Sequence, residues 1–157
     1  MGDDTMKKIV YWLLVVLWML LIFSFSQKEA STSSSESRKI VSKVVYTIEK
    51  NKSKQEKERI VDLAHIPFRK FAHGFEYAIL CILLLLALKT TNIKINYNYI
   101  IALIICIIYA CTDEAHQLFI TGRSGEFKDV CIDTAGSSIG LILYIIINKL
   151  KKSNFDR

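Results

Sequence analysis

Proline occurs once, at Pro67, and glycine only six times in 157 residues. That scarcity excludes a proline-rich linker, a collagen-like repeat and a proline-stiffened β-sandwich. Nothing recurs at a period of 20 to 50 residues, which sets solenoids aside. The four cysteines are Cys81, Cys106, Cys111 and Cys131, and no two have C-x-x-C spacing. Metal-finger chemistry is therefore not expected. All four lie in or beside apolar blocks, where cysteine packs as a small apolar residue. A bridge between Cys111 and Cys131, near one set of helix ends, is the alternative. The P-loop, the dinucleotide fingerprint, the nucleophile elbow and H-E-x-x-H are all missing. His73, Asp113, Glu114, His116 and Asp133 include acceptable metal ligands, but no ligand spacing joins them. No metal and no cofactor are expected.

What the chain has in excess is apolar length. Four blocks, 9–25, 71–88, 99–120 and 130–147, are each long enough to cross about 30 Å of hydrocarbon as a helix. With flanking residues they predict membrane helices at about 8–26, 70–89, 98–119 and 130–148. The first could be a cleaved signal peptide. Its apolar run is longer than usual, though, and Ser26, Gln27, Lys28 and Glu29 offer no small-x-small cleavage site, so an anchor is expected. The formal charge is +6, but the lysines gather beside apolar blocks. That pattern suits anionic headgroups and not nucleic acid, for which no groove-reading motif exists.

The turn from Lys89 to Asn98 is short and polar, as is the one from Thr121 to Asp129. Residues 27–68 form a longer polar loop. Within it Ser33 with Glu36 and Ser53 with Glu56 match the capping box. Ile40, Val41, Val44, Val45 and Ile48 make an amphipathic stripe, suited either to packing on the end of a bundle or to lying among headgroups. Lys50 to Arg59 is a solvated helix face or loop. The expected fold is all-α: one domain, 1–157, formed by a four-helix transmembrane bundle with an additional amphipathic helical segment between the first and second membrane helices.

Ionisable groups at membrane depth cost roughly 2.5–3.5 kcal/mol each at mid-bilayer on insertion scales. Here they segregate. His73, Glu76 and Tyr77 follow Arg69 and Lys70 at the start of the second block. Asp113, Glu114, His116 and Gln117 end the third; Asp129 and Asp133 open the fourth. Antiparallel threading brings all of these to one side, beside Ser24, Ser26 and Gln27 at the end of the first helix. Lys70, His73 and Tyr77 share a helix face, as do Asp113, Glu114 and Gln117. Asp129, Asp133, Gly136 and Gly140 form a stripe whose G-x-x-x-G lets another helix approach closely and carries Asp133 inward. Asp129 could instead cap the fourth helix, and Arg123 could pair with Glu114 or Glu126. The cluster is either a site or polar glue fixing helix register.

These same segments resemble the VanZ-like family of small bacterial membrane proteins. The resemblance rests on FSFSQ (Phe23–Gln27), RKFAHGFEYAIL (Arg69–Leu80), TDEAHQLF (Thr112–Phe119) and the run from Gly122 to Gly140. Two positions depart from it: Phe25 separates serines expected to be adjacent, and Asp133 stands where the family often has asparagine. The resemblance implies a multi-pass protein of the cell membrane. It also implies a link to glycopeptide resistance, since the founding member is associated with low-level resistance to teicoplanin. That drug acts outside the membrane, which supports cytoplasmic termini. Basic residues at the helix ends favour the same orientation weakly, and those of the long loop oppose it. The expected partners are membrane lipids or a lipid-linked cell-wall precursor, met by Lys70, His73, Tyr77, Asp113, Glu114, Gln117, Arg123, Asp129 and Asp133. In an intramembrane enzyme, Glu114, His73 or Asp113 would be the catalytic candidates.

Overall fold

The computed structural model describes residues 2–91 and 94–155. Five helices follow one another: α1 Gly2–Ser26, α2 Ala30–Ile48, α3 Lys54–Lys89, α4 Ile95–Gln117 and α5 Phe127–Phe155. Four of them, α1, α3, α4 and α5, are long and apolar enough to cross a membrane. The all-α expectation holds. The turn expected at Lys89–Asn98 includes two positions, 92 and 93, that lie outside the described residues.

The main difference from expectation is α3. It was to begin near residue 70, after a polar loop, yet it runs for 36 residues. At 1.5 Å per residue that is about 54 Å, well beyond the hydrocarbon thickness. The polar loop 27–68 is thus largely helical, a hairpin of α2 and the first half of α3. Two forces extend the helix. The Ser53–Glu56 capping box forms as expected, with Ser53 N donating to Glu56 Oε2 at 2.8 Å and Glu56 N to Ser53 Oγ at 3.3 Å. Val61 is then buried against Val41 and Val45 of α2. This packing carries the helix through Pro67, which lacks the N–H that would bond Leu63. Outside this seam Arg38 binds both Asp62 and Glu58, and Tyr46 donates to Glu58 at 2.8 Å. Of the amphipathic stripe, Val41 and Val45 face α3, while Ile40, Val44 and Ile48 are exposed.

The second capping box does not form. α2 begins at Ala30, so Ser33 already lies in its first turn, and Glu36 is drawn to Lys28 at 2.7 Å. The Cys111–Cys131 bridge is absent as well; all four cysteines are free thiols.

Helix α3 is the hub and touches each of the other four. Its tightest neighbour is α5. A Cβ on Gly136 would strike the Gly74 carbonyl, and one on Gly140 the Ala78 carbonyl, so the two backbones meet directly. This is the close approach expected of G-x-x-x-G. Ala102, Cys106 and Ala110 give α4 a small-residue face of the same kind, wholly buried. α1 is fastened by Trp18 Nε1 donating to the Glu76 carbonyl at 2.9 Å and by Tyr109 donating to the Met19 carbonyl at 2.6 Å. Leucines and isoleucines such as Leu13, Leu17, Ile142 and Ile146 point outward, as lipid-facing positions do.

Candidate functional site

Antiparallel threading collects the polar residues at one rim, and Gln117 is the knot that ties them. Its amide nitrogen donates to Asp113 Oδ2 at 3.2 Å and to Glu114 Oε1 at 3.0 Å. Its amide oxygen accepts from Arg123 Nη1 at 3.1 Å. An amide side chain, with two N–H donors and a carbonyl acceptor, can serve two acids and a cation together. Ser26, at the end of α1, donates to Asp113 Oδ2 at 2.5 Å. Ser24, two residues earlier, turns back on its own helix and bonds the Leu20 carbonyl at 2.7 Å.

Two expected pairings are corrected. Arg123 pairs with neither Glu114 nor Glu126; its Nε donates to the Lys28 carbonyl at 3.1 Å. Glu114 Oε2 instead accepts the Glu126 backbone N–H at 2.9 Å. Asp129 is not an N-cap, because α5 starts at Phe127 and places Asp129 within the first turn. There it suits the helix dipole and binds Lys70, which also lies 3.6 Å from Glu126.

Above this network lies a chamber of about 230 Å³, among whose lining residues are Arg69, Lys70, His73, Gln117, Arg123 and Asp129. Five of the nine residues expected to meet a ligand therefore line it. The other four, Tyr77, Asp113, Glu114 and Asp133, lie deeper. Asp133 is one turn further along α5 than Asp129, about 6 Å. Tyr77, Asp133 and Asp113 are 0 %, 1 % and 3 % exposed. Each carries an oxygen with no hydrogen-bond partner: Tyr77 Oη, Asp133 Oδ1 and Asp113 Oδ1.

The cations of the chamber differ in commitment. Lys70 is engaged by two carboxylates. Arg123 retains a buried Nη2 with no partner. Arg69 makes no hydrogen bond or ion pair among the described residues, and its charge acts on Arg123. Burial, and then the like charge of Arg69, push the Arg123 guanidinium below its usual pKa. Two guanidinium groups with donors to spare thus line one chamber.

Arg69, Glu76 and Ser26 were missing from the expected ligand set. The signal for two of them was present in the sequence: Arg69, His73 and Glu76 are spaced four and three apart, one face of α3. His73 Nδ1 lies 3.7 Å from Glu76 Oε2.

Searches of curated proteins and of solved structures gave no match. A comparison with known families matches residues 11–148, a span holding the four polar segments, the chamber and the buried acids, and on that match the chain belongs to the VanZ/LLP1 family.

Proposed function

We propose that this VanZ-like protein sits in the cell envelope with both termini in the cytoplasm, and that its chamber binds a phosphate-bearing headgroup at the outer membrane boundary. One observation carries the proposal: Arg69 and Arg123 bring uncommitted guanidinium donors to the same chamber. Guanidinium matches phosphate geometry through paired N–H donors, and lysine adds a point charge. The anchoring acids hold the cations without cancelling all of them. The ligand is then a lipid or a lipid-linked cell-wall precursor, and its engagement alters susceptibility to glycopeptides of the teicoplanin type, as family resemblance implies.

We read Glu114 as a bracing residue: its two oxygens accept from the Gln117 amide at 3.0 Å and from the Glu126 backbone N–H at 2.9 Å. Glu114 braces the loop that carries Arg123.

Expression in a teicoplanin-susceptible bacterium tests this. The wild-type chain should raise the tolerated drug concentration. The Arg69→Gln/Arg123→Gln double variant should lose that effect at equal membrane abundance, whereas Lys151→Gln should keep it. Full tolerance from the double variant would remove the proposal.

A further inference from the structure

A second cavity, of about 170 Å³, lies between the end of α1, α2 and α3. Its lining sets Phe25, Ile40, Phe68 and Ala72 beside the charged Lys28, Glu36 and Glu76, and it shares Arg69 and His73 with the chamber. Those two residues border both spaces, and on the groove side they are joined by apolar as well as charged side chains. The groove's level is fixed by its residues. Phe25 closes the apolar run of α1, and Ala72 opens that of α3. It therefore lies where hydrocarbon gives way to headgroups. Phe25, Phe68 and Ile40 are all exposed, so the groove opens on the outer surface of the bundle.

From this adjacency we infer that the ligand is a membrane-resident phospholipid with a small anionic phosphate headgroup, which enters sideways from the bilayer. Its phosphate meets Arg69 and Arg123, and the first methylenes of its chain lie against Phe25, Phe68 and Ala72. The inference rests on the headgroup-binding proposal and adds to it the source of the phosphate. A free anion would use the chamber alone. A lipid uses both spaces and gains the apolar contacts of the groove.

The experiment uses the full chain in phosphatidylcholine nanodiscs, with binding followed by thermophoresis. The probes are short-chain phosphatidic acid, the soluble headgroup glycerol phosphate, and inorganic phosphate. Phosphatidic acid should bind about ten-fold more tightly than glycerol phosphate, which corresponds to about 1.4 kcal/mol. Ala72→Trp, which fills the groove, should bring phosphatidic acid down to the level of glycerol phosphate and leave glycerol phosphate binding unchanged. Phe68→Ala, which deletes one wall without adding bulk, should lose part of the same preference and guards against misfolding of the tryptophan variant. Arg69→Gln should weaken every phosphate probe. Equal affinity for phosphatidic acid, glycerol phosphate and inorganic phosphate, unaltered by either groove variant, would overturn the lateral-entry inference and leave the chamber proposal standing. Failure of all three probes to bind would overturn both.

Discussion

At the scale of single residues, the rim separates side chains that hold the bundle from those that face the chamber. Ser26 belongs to the first kind. Ser26→Ala removes a buried donor to Asp113 and should cost about 1 kcal/mol, whereas Ser24→Ala, at an exposed hydroxyl bonded to its own helix, should change stability by less than about 0.5 kcal/mol. Thermal unfolding in detergent measures both. The Lys70–Asp129 pair is partly open to solvent, at 29 % and 27 % side-chain exposure, so its coupling is screened. A double-mutant cycle of Lys70→Met with Asp129→Asn should return about 1 kcal/mol. Much of this layer was legible in the sequence, because helical spacing and antiparallel order together bring Asp113, Gln117, Lys70 and Asp129 to one rim. The pairings were not. Arg123 has Asp113, Glu114, Glu126 and Asp129 nearby in sequence or space, and only the folded loop decides that it reaches Gln117 and the Lys28 carbonyl. Nor does spacing show which residues face the chamber and which lie one turn beneath it, as Asp129 and Asp133 do.

At the scale of helices, the α3–α5 contact is the most demanding. Gly136→Ala would drive a methyl group into the Gly74 backbone and should destabilise by about 1–3 kcal/mol. Gly74→Ala meets only ordinary contact with Ile132 at 3.4 Å and should be far milder. Comparing the two melting temperatures checks this asymmetry, which the G-x-x-x-G pattern alone does not contain. The hairpin makes its own prediction. Val61 is fully buried between Val41 and Val45, so Val61→Ala should loosen α2 by roughly 1–2 kcal/mol. Faster amide exchange across residues 30–60, with the bundle unchanged, is the expected signature. The sequence located the stripe that makes this seam but not its partner. Polar composition left Lys50 to Arg59 open between a solvated helix face and a loop within 27–68; the structure makes residues 54–68 helical, with Val61 buried against α2. The contact that outweighs the hydrogen bond lost at Pro67 lies on another helix, where no local pattern shows it.

For the whole molecule, the four membrane spans follow from length and apolarity alone, which is why they were plain in the sequence. Direction across the bilayer is a different matter, because the basic residues of the α2–α3 hairpin offset those at the opposite helix ends. Single cysteines at Ser35 and Lys151, in a background without the native four, decide it. Position 35 should react with an impermeant maleimide added outside intact cells, and position 151 only after lysis. The reverse pattern would place the chamber in the cytoplasm and remove the glycopeptide connection.

Because α3 continues unbroken from Lys54 to Lys89, the hairpin and the chamber are not separate bodies. Its N-terminal half grips α2 through Val61, and the next turns carry Arg69, His73 and Glu76. A tilt of the hairpin should therefore be felt at Arg69, and Val61→Ala, which loosens the seam, should alter phosphate-probe binding as well as amide exchange. The seam at Val61 and the chamber wall at Arg69 thus lie about 12 Å apart along one helix, with Pro67 between them.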